Sequence, residues 1–220
     1  MGSGLPYRYA YLHGFGSSSC SRKGTCLAPA FQKRGVSLHL PDLNNPSFSD
    51  LTYDGSLEAL DELHAATGGE DAAPWRIIGS SMGGYLAARW AELHPSRVNR
   101  LLLLCPGFGL VKRWPAMLGP ELYEAWRNTG SHLFLDGEGN PTPVSWRFVE
   151  NATTHPSTPE VPVETLIIHG VLDEVVPLES SIEYARSRDH VELITVDDDH
   201  GLAASLPMIE TRGFEFFQIS

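Results

Sequence analysis

The sequence contains little cysteine. Cys20, Cys26 and Cys105 are the three cysteines among 220 residues, and they form no CxxC pair and no cluster with histidine at metal-ligand spacing. We therefore expect neither a disulfide framework nor a structural zinc site, and a reducing compartment, the cytoplasm, fits this cysteine usage best.

Long hydrophobic runs are also missing. No segment approaches 18 uninterrupted apolar residues, and the N-terminus lacks a basic region followed by an apolar run, so we expect neither a membrane span nor a signal peptide. The opening Met1-Gly2 resembles the start of an N-myristoylation signal, but Pro6 stands where that signal requires Ser or Thr.

Positive charge is scarce. Sixteen Lys and Arg face 27 Asp and Glu, which gives a formal net charge of −11. A net negative charge of this size repels phosphate backbones and anionic membrane surfaces, so we expect no nucleic-acid or membrane partner. A hydrophobic content of 42% and a length of 220 residues are typical of one globular domain spanning residues 1–220.

Short apolar runs alternate with segments of helical periodicity. The runs are 8–12, 36–40, 76–78, 101–104, 165–168 and 191–196. Helical spacing follows Asp54 and also covers 86–93, where His94-Pro95 ends the pattern. This alternation predicts an α/β fold: a mostly parallel sheet of about six strands with helices on both faces.

One segment, residues 108–155, departs from the alternation. Strand-like runs are missing there, aromatic residues stand among Gly and Pro, and 120–128 has a helical pattern. Since nearly fifty residues are too many for a simple connection, we expect a partly helical insertion that acts as a lid or cap. A structural flap over one sheet edge is the alternative.

The strongest motif is Gly79-Ser80-Ser81-Met82-Gly83, which joins a predicted strand to a predicted helix. Small residues on both sides of a central serine allow a sharp turn that exposes its hydroxyl, the arrangement called a nucleophile elbow. Ser81 has glycine two positions away on both sides, whereas Ser80 does not. We therefore assign the nucleophile to Ser81 and a structural role to Ser80.

A serine nucleophile needs a base and an acid that orients the base. In the order serine, acid, histidine, Asp173 follows the fifth predicted strand and His200 follows the last. Glu174 and the run Asp197–Asp199 are competing acids, but we favour Asp173 and interpret the run as solvated loop charge beside His200.

An acyl-transfer site also stabilises an oxyanion, usually with two backbone amides. We expect one from Met82, directly after the nucleophile, and one from Phe15 in the glycine-containing loop after the first strand. His13 precedes that loop, and we interpret it as a brace for the loop rather than as a second base.

Together, His13-Gly14-Phe15-Gly16, the serine motif, the segment from His169-Gly170 to Asp173, and Asp199-His200-Gly201 resemble the α/β-hydrolase superfamily. The segment from Tyr11 to Phe15 with Ser17-Ser18 is similar to small bacterial YqiA-type esterases. The resemblance implies a serine hydrolase without metal or cofactor. It assigns Ser81 as nucleophile, Asp173 as acid, His200 as base, and Phe15 and Met82 as oxyanion donors.

Two departures from the larger relatives are expected: early antiparallel strands are missing, and residues 108–155 match no motif.

The functional hypothesis is cleavage of a small-molecule carboxylic ester or thioester through an acyl-enzyme. The aromatic insertion favours an apolar acyl group. A ligand-binding or receptor protein that keeps these residues without turnover is the alternative.

Overall fold

A computed structural model describes residues 7–220, so the Met1–Pro6 opening lies outside the described residues. The strands are β1 (Arg8–Leu12), β2 (Leu38–His39), β3 (Trp75–Ser80), β4 (Val98–Leu104), β5 (Ser131–Leu135), β6 (Pro141–Ser145), β7 (Glu164–Gly170) and β8 (Val191–Val196). Six of them form one sheet in the order β2-β1-β3-β4-β7-β8. Its five pairings are all parallel, which confirms the predicted α/β architecture.

The strand core follows directly from the apolar runs. Every residue of β3 is buried, and so are Leu101–Leu104 in β4. A parallel strand with helices on both faces buries both sets of its side chains, so a continuous apolar run suits it better than an alternating one. The first and last strands have the predicted bounds, whereas β2 has two residues instead of five.

The helices are α1 (Arg22–Lys33), α2 (Tyr53–Ala66), α3 (Met82–Leu93), α4 (Leu110–Leu118), α5 (Pro120–Thr129), α6 (Arg147–Ala152), α7 (Leu178–Arg186) and α8 (Leu206–Phe217). Ser21 caps α1, because its hydroxyl accepts a hydrogen bond from the Gly24 amide. Thr52 caps α2 through the Gly55 amide in the same way. In residues 7–220, no helix is both long and apolar enough to cross a membrane.

Residues 108–155 hold α4, α5, α6 and an antiparallel β5-β6 hairpin. The expected helix near 120–128 is α5, but the expectation that strand-like runs are missing here was wrong. Alternation is present in β5, where Leu133 and Leu135 are 60% and 63% exposed and Phe134 points inward. The sequence pattern of β6 does not indicate a strand, because it contains Pro141 and Pro143 and proline lowers strand propensity. In a two-stranded ribbon, however, proline is tolerated.

The aromatic residues of this insertion pack mainly against one another. Trp126 and Phe134 have ring centroids 5.0 Å apart, and Trp114 lies 5.3 Å from Phe134. Trp114, Trp126 and Phe148 are buried. These side chains extend the hydrophobic cluster that also contains Leu12 of β1 and Tyr53 of α2, so the insertion packs against the rest of the core.

Candidate active site

The carboxyl ends of the parallel strands meet at one edge of the sheet. The chain moves from β1 outward to β2, whereas from β3 it moves the opposite way to β4, so the direction of winding reverses between β1 and β3. Ligands of open α/β sheets bind at such a reversal, beyond the carboxyl ends of the strands. The loop with Phe15 and the turn with Ser81 begin there.

The turn after β3 holds Ser81 in an unusual backbone conformation, with φ 54° and ψ −120°, directly before α3. A β-carbon at Gly79 would lie 2.5 Å from the Gly83 carbonyl oxygen, and one at Gly83 would lie 2.3 Å from that of Leu12. Only glycine fits these two positions without displacing backbone. The Ser81 carbonyl accepts hydrogen bonds from the amides of Gly84, Tyr85 and Gly107, which fix the turn.

His200, on the loop after β8, lies between the other two predicted residues. Its Nε2 is 3.0 Å from Ser81 Oγ, and its Nδ1 is 2.7 Å from Asp173 Oδ2. A carboxylate accepts hydrogen bonds and does not donate them, so the proton of neutral His200 belongs on Nδ1. Nε2 is then an acceptor that faces the serine hydroxyl. The structure thus brings together the three residues that the sequence predicts.

The Asp173 side chain is completely buried, and four donors surround its carboxylate. Oδ1 accepts from the amides of Val175 and Val176 at 2.9 and 2.8 Å, while Oδ2 accepts from His200 and lies 3.3 Å from His169 Nε2. Burial by itself would raise the pKa of Asp173, but hydrogen bonds from His169, His200 and the Val176 amide together lower the pKa. The carboxyl therefore remains ionised at neutral pH.

His169, the buried residue before Gly170 in β7, was missed as a functional residue. Its Nδ1 lies 2.8 Å from the Ser181 hydroxyl, and its Nε2 lies 2.9 Å from the Val176 carbonyl oxygen. One tautomer satisfies both contacts: Nε2 donates to Val176 and shares its proton with Asp173, and Nδ1 accepts from Ser181. The motif His169-Gly170 at a strand end was the available signal.

Two of the competing acids have other partners. Asp198 accepts hydrogen bonds from the amides of Asp199 and Ser205, and Asp199 accepts from the Gly201 amide at 2.7 Å. These carboxylates hold the loop that carries His200. Glu174 is exposed, although it is adjacent to Asp173.

The predicted oxyanion donors lie on the elements that were expected. Met82 is the first residue of α3, and Phe15 follows Gly14, whose added β-carbon would lie 3.2 Å from Ser81 Cβ. His13 Nε2 accepts from the Leu43 amide at 2.9 Å, and its Nδ1 lies 2.9 Å from the Gly14 carbonyl oxygen. Burial lowers the pKa of His13, which keeps it neutral. These contacts brace the loop, as predicted.

The insertion holds the Phe15 loop from the other side. The Phe15 ring lies 5.1 Å from Phe134 and 5.4 Å from Trp114, centroid to centroid. Gly16 has φ +64°, and a β-carbon there would lie 2.9 Å from the Leu135 carbonyl oxygen. The β5-β6 hairpin therefore packs directly on the loop that carries the Phe15 amide.

Ser81 and His200 both line a cavity of about 310 Å³. Its other lining residues are Tyr11, Gly14, Phe15, Ser17, Ser21, Arg22, Lys23, Ser80, Gly201, Ala203 and Leu206. A separate cavity of about 90 Å³ lies under the insertion, next to Tyr53 and Tyr85, and includes neither Ser81 nor His200. The larger cavity is the one from which a ligand can reach the serine hydroxyl.

One set of potential metal ligands occurs within residues 7–220 at this edge: Cys105, His169 and Asp173, with ligand atoms within 4.8 Å of one another. Both nitrogens of His169 and both oxygens of Asp173 already have hydrogen-bond partners. Burial raises the pKa of the Cys105 thiol, so it stays protonated. The donor set is therefore poorly suited to a metal ion.

A model of the uncharacterised protein family UPF0227 matches residues 8–211. The chain belongs to this family. Comparison with curated proteins finds no match.

Solved structures share the fold along nearly the whole chain. Est1E from Butyrivibrio proteoclasticus is 21% identical, with a TM-score of 0.74 over 98% of this chain and 89% of that one. Mouse alpha/beta hydrolase domain-containing protein 10 is 18% identical, with a TM-score of 0.77 over 98% and 91%. The meta-cleavage product hydrolase CumD from Pseudomonas fluorescens is 19% identical, with a TM-score of 0.65 over 96% and 90%. These structures confirm the α/β-hydrolase fold, and the family match confirms the resemblance to YqiA-type proteins.

Proposed function

We propose that this protein is a serine hydrolase that cleaves carboxylic esters or thioesters through an acyl-enzyme on Ser81. The observation that carries the proposal is the unbroken hydrogen-bond chain from Asp173 through His200 to Ser81, with distances of 2.7 and 3.0 Å. A serine hydroxyl is a weak nucleophile, and this chain supplies the base and the acid that it needs.

In the mechanism, His200 Nε2 removes the Ser81 proton while Oγ attacks the acyl carbonyl carbon. The amides of Phe15 and Met82 donate hydrogen bonds to the oxyanion that forms. His200 then gives its proton to the departing oxygen or sulfur, which leaves an acyl group on Ser81. A water molecule, activated by His200, attacks this acyl group and restores the serine.

Asp173 serves this cycle by holding the Nδ1 proton of His200 and by stabilising the imidazolium that forms after proton transfer. Its buried, fourfold hydrogen-bonded carboxylate suits that role, because the charge is fixed in place before the reaction starts. No metal or cofactor takes part in the proposed steps.

The 108–155 insertion is proposed to act as the lid of a single α/β-hydrolase domain. The contacts of Phe134 and Leu135 with the Phe15 loop support this role, because they connect the insertion to the predicted oxyanion donor. A lid in this position would cover the acyl group and exclude water from the oxyanion.

A small-molecule substrate is supported by the dimensions of the cavity at Ser81, about 310 Å³, which is at the lower end of the range for small ligands. One similar structure is that of Est1E from Butyrivibrio proteoclasticus with ferulic acid bound. This ligand supports an organic acyl compound as the class of ligand for this chain as well.

The test is a hydrolysis panel of p-nitrophenyl esters of increasing chain length and the matching acyl-CoA thioesters. We expect Ser81→Ala to lower kcat/KM for the best substrate by roughly 10³-fold or more, because the covalent step is lost. Ser80→Ala is the matched control, and we expect a much smaller loss, since the hydrogen bond of His200 Nε2 is made to Ser81 and not to Ser80.

Near-normal turnover by Ser81→Ala would overturn the proposal. Tight binding of an ester without Ser81-dependent turnover would instead favour the ligand-binding alternative.

A further inference from the structure

The cavity beside Ser81 carries positive charge, although the chain as a whole is strongly negative. Arg22 and Lys23, the first two residues of α1, both line it. Cations are disfavoured at a helix N-terminus, where the helix dipole is positive, and the first turn of α1 contains no acidic residue to offset them. The helix dipole therefore gives no reason for two cations at this position.

Lys23 is half-buried, and its ammonium group reaches the loop that carries the proposed base. Nζ donates a hydrogen bond of 2.8 Å to the carbonyl oxygen of Gly201, the residue after His200. Within residues 7–220, no carboxylate forms an ion pair with Lys23. The charges of Asp199, Asp173 and Asp198 act on the ammonium from a greater distance, and backbone amides already bind both oxygens of Asp198 and one oxygen of Asp199. The ammonium has three protons, so two remain for a ligand.

The burial of the Lys23 ammonium favours binding of an anion. Burial lowers the pKa of Lys23, which means that its charged form has lost part of its hydration. An anionic ligand would replace that hydration. Ser17, Ser21 and Tyr11 also line the cavity. Burial raises the pKa of Tyr11 to about 12, so its hydroxyl stays neutral, next to the hydroxyls of Ser21 and Ser80.

The position of the cavity indicates which part of an ester enters it. The leaving oxygen or sulfur must contact His200 Nε2, because that nitrogen protonates it. The ammonium of Lys23 lies on the His200 side of the cavity, because it contacts Gly201, the residue directly after His200. A leaving group in contact with His200 is therefore the part of the ester that lies nearest to Lys23.

We propose that the substrate is an ester whose leaving group carries a carboxylate, that is, an acylated hydroxy acid, and that Lys23, assisted by Arg22, binds this carboxylate. The inference rests on the proposed function and defines its substrate class. The net charge of −11 does not oppose binding of an anionic substrate, because salt near physiological concentration screens the interaction between exposed charges beyond about 8–10 Å.

The experiment compares two nearly isosteric esters, 4-acetoxybenzoate, which is anionic, and 4-acetoxybenzamide, which is neutral. The quantity measured is the ratio of their kcat/KM values, because intrinsic differences in reactivity cancel when this ratio is compared between variants. We expect Lys23→Met to lower the anionic-to-neutral ratio by about tenfold or more, the effect of losing a hydrogen bond to a charged group. Lys23→Arg should restore most of the ratio.

Lys33→Met is the matched control. It removes the same charge from an exposed position on the same helix, about 15 Å along the axis at 1.5 Å per residue. We expect it to leave the ratio unchanged. An equal loss for both esters in Lys23→Met would overturn the proposal, because it would mean that Lys23 only braces the His200 loop through Gly201.

A second pair places the charge on the acyl side: mono-4-nitrophenyl succinate and 4-nitrophenyl butyrate. A Lys23→Met effect confined to this pair would overturn the assignment of the carboxylate to the leaving group. Failure of the proposed function looks different, since hydrolysis of all four esters would then be absent or would persist in Ser81→Ala.

Discussion

At the scale of single residues, the site depends on the carboxylate of Asp173. This side chain has no exposure to solvent, and its charge is stabilised by donors from His200, His169 and two backbone amides. His169 is buried and does not line the cavity at Ser81, so we regard it as a positioning residue. Its side chain connects the Asp173 carboxylate to the Val176 carbonyl and to the Ser181 hydroxyl. The charge of Asp173 is thereby linked to folding as well as to the proposed chemistry.

This link predicts a pH-dependent stability. The pKa of Asp173 is lowered in the folded protein, so its stabilising effect is complete above the pKa of the unfolded state and is lost as the pH falls toward the folded pKa. We expect Asp173→Asn to reduce the free energy of unfolding most at pH 7, and the difference from wild type to shrink below about pH 5. Urea denaturation at pH 7, 4 and 3 measures it, because most of the loss falls below the pKa of the unfolded state.

Glu174→Gln is the control for this prediction, because it removes the neighbouring but exposed carboxylate. It should change the free energy of unfolding little at any of these pH values. A difference between Asp173→Asn and wild type that stays constant with pH would contradict the account.

At the scale of elements, the turn between β3 and α3 combines backbone strain with tight packing. Ser81 adopts a positive φ that side-chain-bearing residues rarely adopt, and Gly79 and Gly83 allow β3, α3 and β1 to approach closely around it. Positive φ at a non-glycine residue costs of order 1–3 kcal/mol and is retained where function needs it.

The strain predicts an unusual order of stability between two inactive variants. Glycine ordinarily destabilises a regular element by about 0.5–1 kcal/mol relative to alanine, but it tolerates positive φ without strain. We therefore expect Ser81→Gly to be more stable than Ser81→Ala by about 1 kcal/mol. Chemical denaturation provides the free energies of unfolding.

Ala125→Gly, at an exposed position within α5, is the reference substitution, and it should cost about 1 kcal/mol. If Ser81→Gly proved less stable than Ser81→Ala by a similar amount, the positive φ would not be a source of strain.

At the scale of the whole molecule, the strand order brings together residues that are far apart in sequence. His200 and Ser81 are separated by 119 positions, yet both follow carboxyl ends of parallel strands at the same sheet edge. The order and spacing of these residues were visible in the sequence, because each lies in the short segment that follows an apolar run. The same argument placed Asp173 after β7.

Other features depend on information that local patterns do not carry. Helix α1 was not predicted, since Gly24 and Pro29 lie within it and resemble helix breakers. The contact of Lys23 with Gly201 spans 178 positions and follows from the packing of α1 beside the last loop, not from any motif. The role of His169 likewise depends on side-chain contacts that form only once α7 and the Asp173 loop are in place.

The central claim is that Ser81, activated by His200, is the nucleophile, and covalent labelling with a fluorophosphonate tests it most directly. Intact mass spectrometry should show one adduct on the wild-type protein, peptide mapping should place it on Ser81, and Ser81→Ala should remain unlabelled while His200→Ala labels far more slowly. A wild-type protein that takes no adduct, or an adduct that persists in Ser81→Ala, would contradict the account.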